Sequence, residues 1–340
     1  LQARNVTYIN VSGNIFEETT YRPMKNIFTR YGGVVIGSIY GLTMRLIFGH
    51  PFDRPDFADL FSITFIWIVP IVIGIIPIMF ATKEQLTSGA YQISRPILTV
   101  FLFFLIAFTT GIEDIICIVI ISVPFLIAAG IGGYAFAKLV EKRRNRNGII
   151  YSLFIIPLLS GFIEEKFQTP SQTYQVNTVV IINSTPEVIW ENVVRVKEID
   201  QEEYKKGFFN YAGIPRPLYA ELDIDTIGAT RIGHFEGGLT FKETVTTWQR
   251  NKRVAFNITV IPSSIRQTIF DQHILKGDHF TFLNASYDLE PLGNRQTKLT
   301  LSSTYQLDTK INGYSSFWGR RLLTDFQERL LEVIKSRCDR

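Results

Sequence analysis

The stretch that most limits what this chain can become is residues 96–137, which carry no charge except at Glu113 and Asp114. A hydrocarbon core about 30 Å thick takes roughly 20 apolar residues as a helix, so this stretch has the length of two crossings. Gly-Ile-Glu-Asp at 111–114 sets a glycine and two carboxylates at its middle, where a tight turn reaches the membrane surface. A helical hairpin is the expectation. Residues 61–82 are uncharged and long enough for a further span, while 31–48, charged only at Arg45, and the uncharged 148–163 are shorter candidates. Together they predict a transmembrane region over 31–165 with four to five spans.

Basic residues in short loops set orientation. With the N-terminus inside, the inner segments hold Lys25, Arg30, Lys83, Arg95, Lys138, Lys142, Arg143, Arg144 and Arg146, whereas the outer loop 49–60 holds Arg54 against Asp53, Asp56 and Asp59. Five spans then put the rest of the chain on the outer face of a bacterial inner membrane, periplasmic or extracellular; without a span at 148–163 it returns to the cytoplasm. Residues 1–30 form an N-terminal arm. Met24 followed by Lys-Asn resembles a bacterial start, which makes 1–23 an extension or an unstructured arm, and no signal-peptide pattern occurs there. Arg45, Glu113 and Asp114 can either pair inside the bundle or sit at span ends, with Arg45 snorkelling and the carboxylates in water. The second is the expectation. No inverted half-repeat suggests a carrier.

Composition agrees: 46% of residues are hydrophobic, only 19% are charged, and the mean hydropathy is +0.14. The net charge of +4 and the lack of a basic, aromatic-interleaved block argue against nucleic acid as a partner. Cys117 and Cys338 are too few and too far apart for a disulfide framework or a zinc site. No phosphate-cradling loop, nucleophile elbow or metalloprotease helix is present, so no cofactor and no metal is expected.

After residue 165 the character changes. Residues 168–340 hold 21 basic and 20 acidic side chains, enough polar surface for one water-exposed domain. Period-2 alternation predicts seven strands, at 174–182, 218–225, 230–236, 239–249, 253–260, 279–290 and 296–307. Thr185, Pro186 and Glu187 mark a helix start after the first strand. Residues 314–335 carry Phe317, Leu322, Leu323, Phe326, Leu330, Leu331 and Ile334 at helical spacing. Strand, helix, six antiparallel strands and a long helix describe an α+β domain whose bent sheet grips its last helix and leaves a cavity between them.

At this point the sequence resembles the START-like superfamily, also called SRPBCC or polyketide cyclase/dehydrase and lipid-transport proteins. The residues that carry the resemblance are VVIINSTPEVIWENV (179–193), AGIPRPLYAEL (212–222), GATRIGHFEGGLTFKETVTTW (228–248) and SSTYQLDTKINGYSSFWGRRLLTDFQERLL (302–331). IEDIICIVIISVPFLIAAGIGG (112–133) is similar to bacterial members in which several spans precede the domain. The resemblance implies a helix-grip fold that binds an apolar molecule, with enzyme activity in only some branches.

Alternation puts Leu239, Phe241, Glu243, Val245 and Thr247 on one face, so Glu243 sits in an apolar row within reach of Arg231 across the hairpin. That pair either anchors a ligand's polar end or closes the hairpin. His234 and Glu236 share the other parity and can act as an acid/base pair or as a solvated face. Arg216, between Pro215 and Pro217, is expected to be held out at the rim. The ligand-binding candidates are therefore Arg216, Arg231, Glu243, Trp248, Tyr287, Tyr305 and Trp318, and the weak catalytic candidates are Glu243, His234 and Glu236. Asp271, His273 and His279 form too loose a cluster for a metal. Residues 261–275 are expected to form a mobile lid. The functional expectation is a lipid-like ligand held beside the bilayer, with two alternatives: a cyclase/dehydratase-type enzyme or a non-enzymatic sensor or assembly module.

Overall fold

The structure is a computed structural model that describes residues 8–9, 15–16, 25–49, 59–142 and 150–339. The candidate start at Met24, the loop charges Asp53, Arg54 and Asp56, and the basic residues Arg143, Arg144 and Arg146 lie outside the described residues.

The first half is helical. Helices α1 (Lys25–Gly49), α2 (Val69–Met79), α3 (Lys83–Leu86), α4 (Gly89–Thr109), α5 (Ile115–Lys142) and α6 (Ile150–Glu165) follow in order. Among the described residues three segments are long and apolar enough to cross a membrane: Tyr31–Gly49, Gly89–Thr109 and Ile115–Lys142. Their outward faces show large apolar side chains such as Phe101, Leu105, Ile127 and Ile131, half or more exposed, as lipid-facing surface requires and a water-facing one does not. The count is three, where the sequence predicted four to five. Residues 61–82 fall short because the helix runs only over Thr64–Met79, opening in a π-helical turn at Thr64–Ile68. It stops before Thr82, whose hydroxyl caps α3 in a reciprocal capping box with Gln85. The α6 helix has 16 residues, about 24 Å at 1.5 Å per residue. It still packs on the bundle: its Glu164 carboxylate accepts from the backbone N–H groups of Ile63 (2.7 Å) and Thr64 (2.8 Å) at the π-helical turn, and Tyr40 of α1 donates to the Phe154 carbonyl (3.0 Å).

The predicted hairpin forms between α4 and α5, turning at Gly111 with φ +68°, a conformation that favours glycine. Its carboxylates do not face water. Arg45 and Glu113 are both buried and ion-paired, with Arg45 Nη2 also 3.3 Å from the Ile112 carbonyl, and Asp114 accepts from the Phe270 N–H of the second half at 2.8 Å. The span-end reading is corrected for a physical reason: the second half of the chain covers this end of the bundle.

That half is a seven-stranded antiparallel sheet with strands β1 (Ser171–Ile182), β2 (Pro217–Leu222), β3 (Thr230–Phe235), β4 (Thr240–Gln249), β5 (Arg253–Val260), β6 (Phe280–Gly293) and β7 (Gln296–Asp308). The spatial order is β1-β7-β6-β5-β4-β3-β2, a meander closed by the first strand pairing with the last. Helix α7 (Pro186–Val194) starts at Pro186 as predicted, but the Thr185 hydroxyl bonds the Glu187 side chain rather than a backbone N–H. Short helices α8 (Phe208–Tyr211) and α9 (Ile269–Ile274) sit in the connections, and α10 (Asn312–Cys338) lies along β1 and β7. Its buried residues Leu330, Leu331 and Ile334 join Ile189, Trp190 and Val193 of α7 in the main core.

Close approach of α2 and α5 depends on Gly74, where a Cβ would run into the Ala129 carbonyl. Gly74→Val is expected to lower stability by about 1–3 kcal/mol, read as an earlier thermal transition of the detergent-solubilised chain; an unchanged transition would show that the two helices do not pack this way.

Candidate functional site

Between the concave face of the sheet and the first half of α10 lies a cavity of about 290 Å³, near the lower size of small-molecule sites. The sheet wall is aromatic. Phe241 meets Phe282 edge-on at 5.3 Å and 90°, and Phe280 meets Phe282 at 4.7 Å and 84°. Trp318, Leu322, Phe326 and Leu330 of α10 face them, each four residues on from the last, as one helical stripe allows. The third wall comes from the other half of the chain: Phe65, Ile66, Cys117, Ile120 and Ile121 of the bundle, with Glu113 among them.

One ionic group stands in the sheet wall. Arg231 and Glu243 are cross-strand partners in β3 and β4 and form an ion pair. Arg231 Nε donates to the Val194 carbonyl (3.0 Å) and Nη2 to that of Val193 (3.2 Å). These are carbonyls left unpaired at the end of α7, where a cation also complements the helix dipole. Burial opposes the charge on Arg231, but Glu243 outweighs it and raises the pKa. Tyr287 lines the cavity beside this pair, and burial pushes its phenol up to about 12. The pair ties β3 and β4 to α7 and lines the cavity.

The other candidates separate. Trp318 and His234 line the cavity, His234 stacked on Tyr219 at 4.3 Å. Glu236 does not join His234. Strand β3 ends at Phe235 and Glu236 opens a 3-10 turn, which breaks the alternation from which the pair was read. Its carboxylate is held by Arg216 Nε (2.7 Å) and Lys206 Nζ (3.5 Å). Arg216 is not held out to solvent: it is buried, with Nη1 donating to the Ile199 carbonyl at 2.8 Å. Burial alone would raise the Glu236 pKa, but the Arg216 hydrogen bond and the Lys206 charge bring it below the ordinary carboxylate value. Trp248 packs edge-on against Trp190 at 5.0 Å in the main core. Tyr305, fully buried, stacks between Tyr174 (5.6 Å) and Phe280 (5.3 Å), outside the cavity wall.

The stretch expected to be a mobile lid, 261–275, lies against the bundle, with the Phe270 N–H on Asp114. The Thr268 hydroxyl caps α9, and buried Asp271 is gripped by Arg266 Nε (2.7 Å) and Nη2 (2.9 Å). His279 packs on the Phe61 ring at 4.6 Å with its Nε2 3.3 Å from Asp59 Oδ1, and Tyr314 at the start of α10 donates to the Ile120 carbonyl. No group of three metal-ligating side chains converges among the described residues. The bundle wall was missed from sequence. Its one signal was the charged triplet Arg45, Glu113 and Asp114 at the ends of apolar runs, which also admitted pairing.

Comparison with known proteins adds structural likeness only. No protein-family profile and no curated protein sequence matches the chain. Among solved structures, it is similar to a START superfamily protein from Mycobacterium smegmatis (15% identity, TM-score 0.33, 48% of this chain and 97% of that one). It is also similar to the protein XoxI from Bacillus cereus (11%, TM-score 0.32, 48% and 94%) and to an uncharacterised protein from Rhizobium leguminosarum (13%, TM-score 0.31, 50% and 99%). Such scores bear no weight for function, and the helix-grip architecture stands on the strand order and the position of α10.

Arg231→Met strands the Glu243 carboxylate and is expected to cost about 3–5 kcal/mol in denaturant unfolding, with Arg231→Met/Glu243→Leu recovering most of it; equal loss in both variants would show that the pair is not the cause. For Glu236 the depressed native pKa means that its stabilisation is complete above the unfolded carboxylate value of about 4.3 and is lost as pH falls through the native one. Glu236→Gln should therefore flatten the acid limb of the stability curve, and an unaltered limb would exclude the Arg216 clamp.

Proposed function

We propose that this chain is a membrane-embedded protein whose helix-grip domain binds a hydrophobic, lipid-like small molecule. The observation that carries the proposal is that one apolar cavity is walled by the sheet, by α10 and by the ends of apolar helices. A cavity serving only a water-borne ligand has no use for such a wall, whereas a ligand that lives in the bilayer reaches it along apolar surface. The aromatic lining fits flat or chain-like apolar groups, and the Arg231–Glu243–Tyr287 cluster gives the ligand one polar end to meet.

Sidedness belongs to the same proposal. Lys83, Arg95, Lys138 and Lys142 belong to the end of the bundle remote from the domain, while Glu113, Asp114 and Glu164 adjoin it. By the positive-inside rule this supports a domain on the outer face. The domain samples its ligand at the high local concentration of a bilayer rather than of water.

Native mass spectrometry of the intact chain released from micelles is expected to show a co-purified small molecule. Ala285→Trp, which puts an indole into the cavity from β6, should reduce its occupancy by about tenfold or more with an unchanged circular dichroism spectrum. A wild-type protein without bound ligand, or an Ala285→Trp variant with equal occupancy, overturns the proposal.

A further inference from the structure

We infer that the ligand is an uncharged lipid, its polar end a hydroxyl or carbonyl rather than a phosphate, carboxylate or ammonium; the inference rests on the binding reading above. The charge inventory of the cavity wall carries it. Three carboxylates line the cavity, and each is matched by a guanidinium: Glu243 by Arg231, Asp271 by Arg266 and Glu113 by Arg45. Among the described residues of the wall there is no lysine and no arginine besides Arg231. Arg231 has its Nη1 on Glu243 and its Nε and Nη2 on the α7 carbonyls. Three imidazoles also line the cavity, those of His234, His273 and His279; His234 is stacked on Tyr219 at 4.3 Å, and His279 lies between Asp59 and the Asp308 carbonyl (3.3 Å each).

An anionic head group brought inside would find no uncommitted guanidinium or ammonium group, and a cationic one would have to break an existing pair. Either would lose its hydration with little in return from a wall that is otherwise apolar. Hydroxyls and carbonyls are received differently. The Tyr287 phenol faces the cavity and can donate or accept, and the Ser303 hydroxyl accepts from Gln327 Nε2 (2.9 Å) and keeps its own proton to give. Neutral hydroxyls in the sheet wall, with every lining carboxylate already matched by a guanidinium, select for an uncharged polar end. The bundle wall then meets the apolar remainder of a molecule that arrives from the hydrocarbon.

The two probes are dioctanoylglycerol and dioctanoyl phosphatidic acid, which share their chains and differ by the phosphate. Cys117 lines the cavity, and Cys338 is the only other cysteine. Full-length Cys338→Ser protein in micelles at about pH 8, where an ordinary imidazole is neutral, therefore reports occupancy through the rate at which N-ethylmaleimide alkylates Cys117. Dioctanoylglycerol is expected to protect Cys117 at a concentration about tenfold or more below that needed by the phosphatidic acid. Glu243→Gln leaves the Arg231 charge unmatched and should shift this preference toward the phosphatidic acid by about tenfold. Glu113→Gln does the same through Arg45 at the opposite wall and replaces the first variant should that one fail to fold. Equal or better protection by the phosphatidic acid in the wild-type background overturns the charge inference and leaves the binding proposal standing. Protection by neither lipid overturns both.

Discussion

An apolar hollow is kept in a protein only where other apolar surface adjoins it, and here the bundle supplies that surface. Strands β2 to β7 bend round α10 and leave a space too wide for their own side chains to fill. The sheet and α10 supply two sides, and α9, His279 and Tyr314 bring up the third by fastening to the hairpin turn, to Phe61 and to the Ile120 carbonyl. The polar fastenings are few and partly buried, so individually they add little net stability; what they do is hold position. The apolar contact of Phe65, Ile120 and Ile121 with the cavity is the stabilising term, because it removes hydrocarbon from water on both sides at once.

Ion pairs follow the same geometry. Arg45–Glu113 and Arg231–Glu243 stand in opposite walls, each buried and each costly to desolvate. Neither is needed for a hydrophobic core, since well-packed apolar residues of equal volume would serve as well or better. Their shared property is that each fixes a junction: Arg45 ties α1 to the α4–α5 turn, and Arg231 ties the β3–β4 hairpin to the carbonyl end of α7. A cavity that must keep its shape when empty needs its junctions fixed.

Most of the second half was legible in the sequence. The strands declared themselves by alternation and α10 by its apolar stripe, and the Arg231–Glu243 register followed from a hairpin two strands wide. Errors arose where local rules meet a boundary or a neighbour. Alternation pairs Glu236 with His234 only if it runs one residue past the end of β3. Arg216 was placed at the rim because prolines flank it, whereas Glu236 and the Ile199 carbonyl draw it inward. Trp248 and Tyr305 are aromatic strand residues whose destination, core or cavity, depends on how far the sheet bends, which period-2 patterning does not contain. The bundle wall is a contact between distant segments, so no local pattern encodes it. Span counting failed for a local reason that hydropathy averages over: the cap at Thr82 stops the helix that begins at Thr64.

A direct test of a shared cavity is photo-crosslinking with a bilayer-borne lipid that carries a diazirine in its acyl chain and an alkyne for recovery, applied to the full chain in membranes and followed by peptide mapping. A cavity common to bundle and domain predicts adducts on the Cys117–Ile121 segment together with adducts on Phe241 or Phe282, all lost in a variant whose cavity is filled. Adducts confined to outward helix faces such as those of Phe101 and Leu105, with none in the sheet, would contradict it.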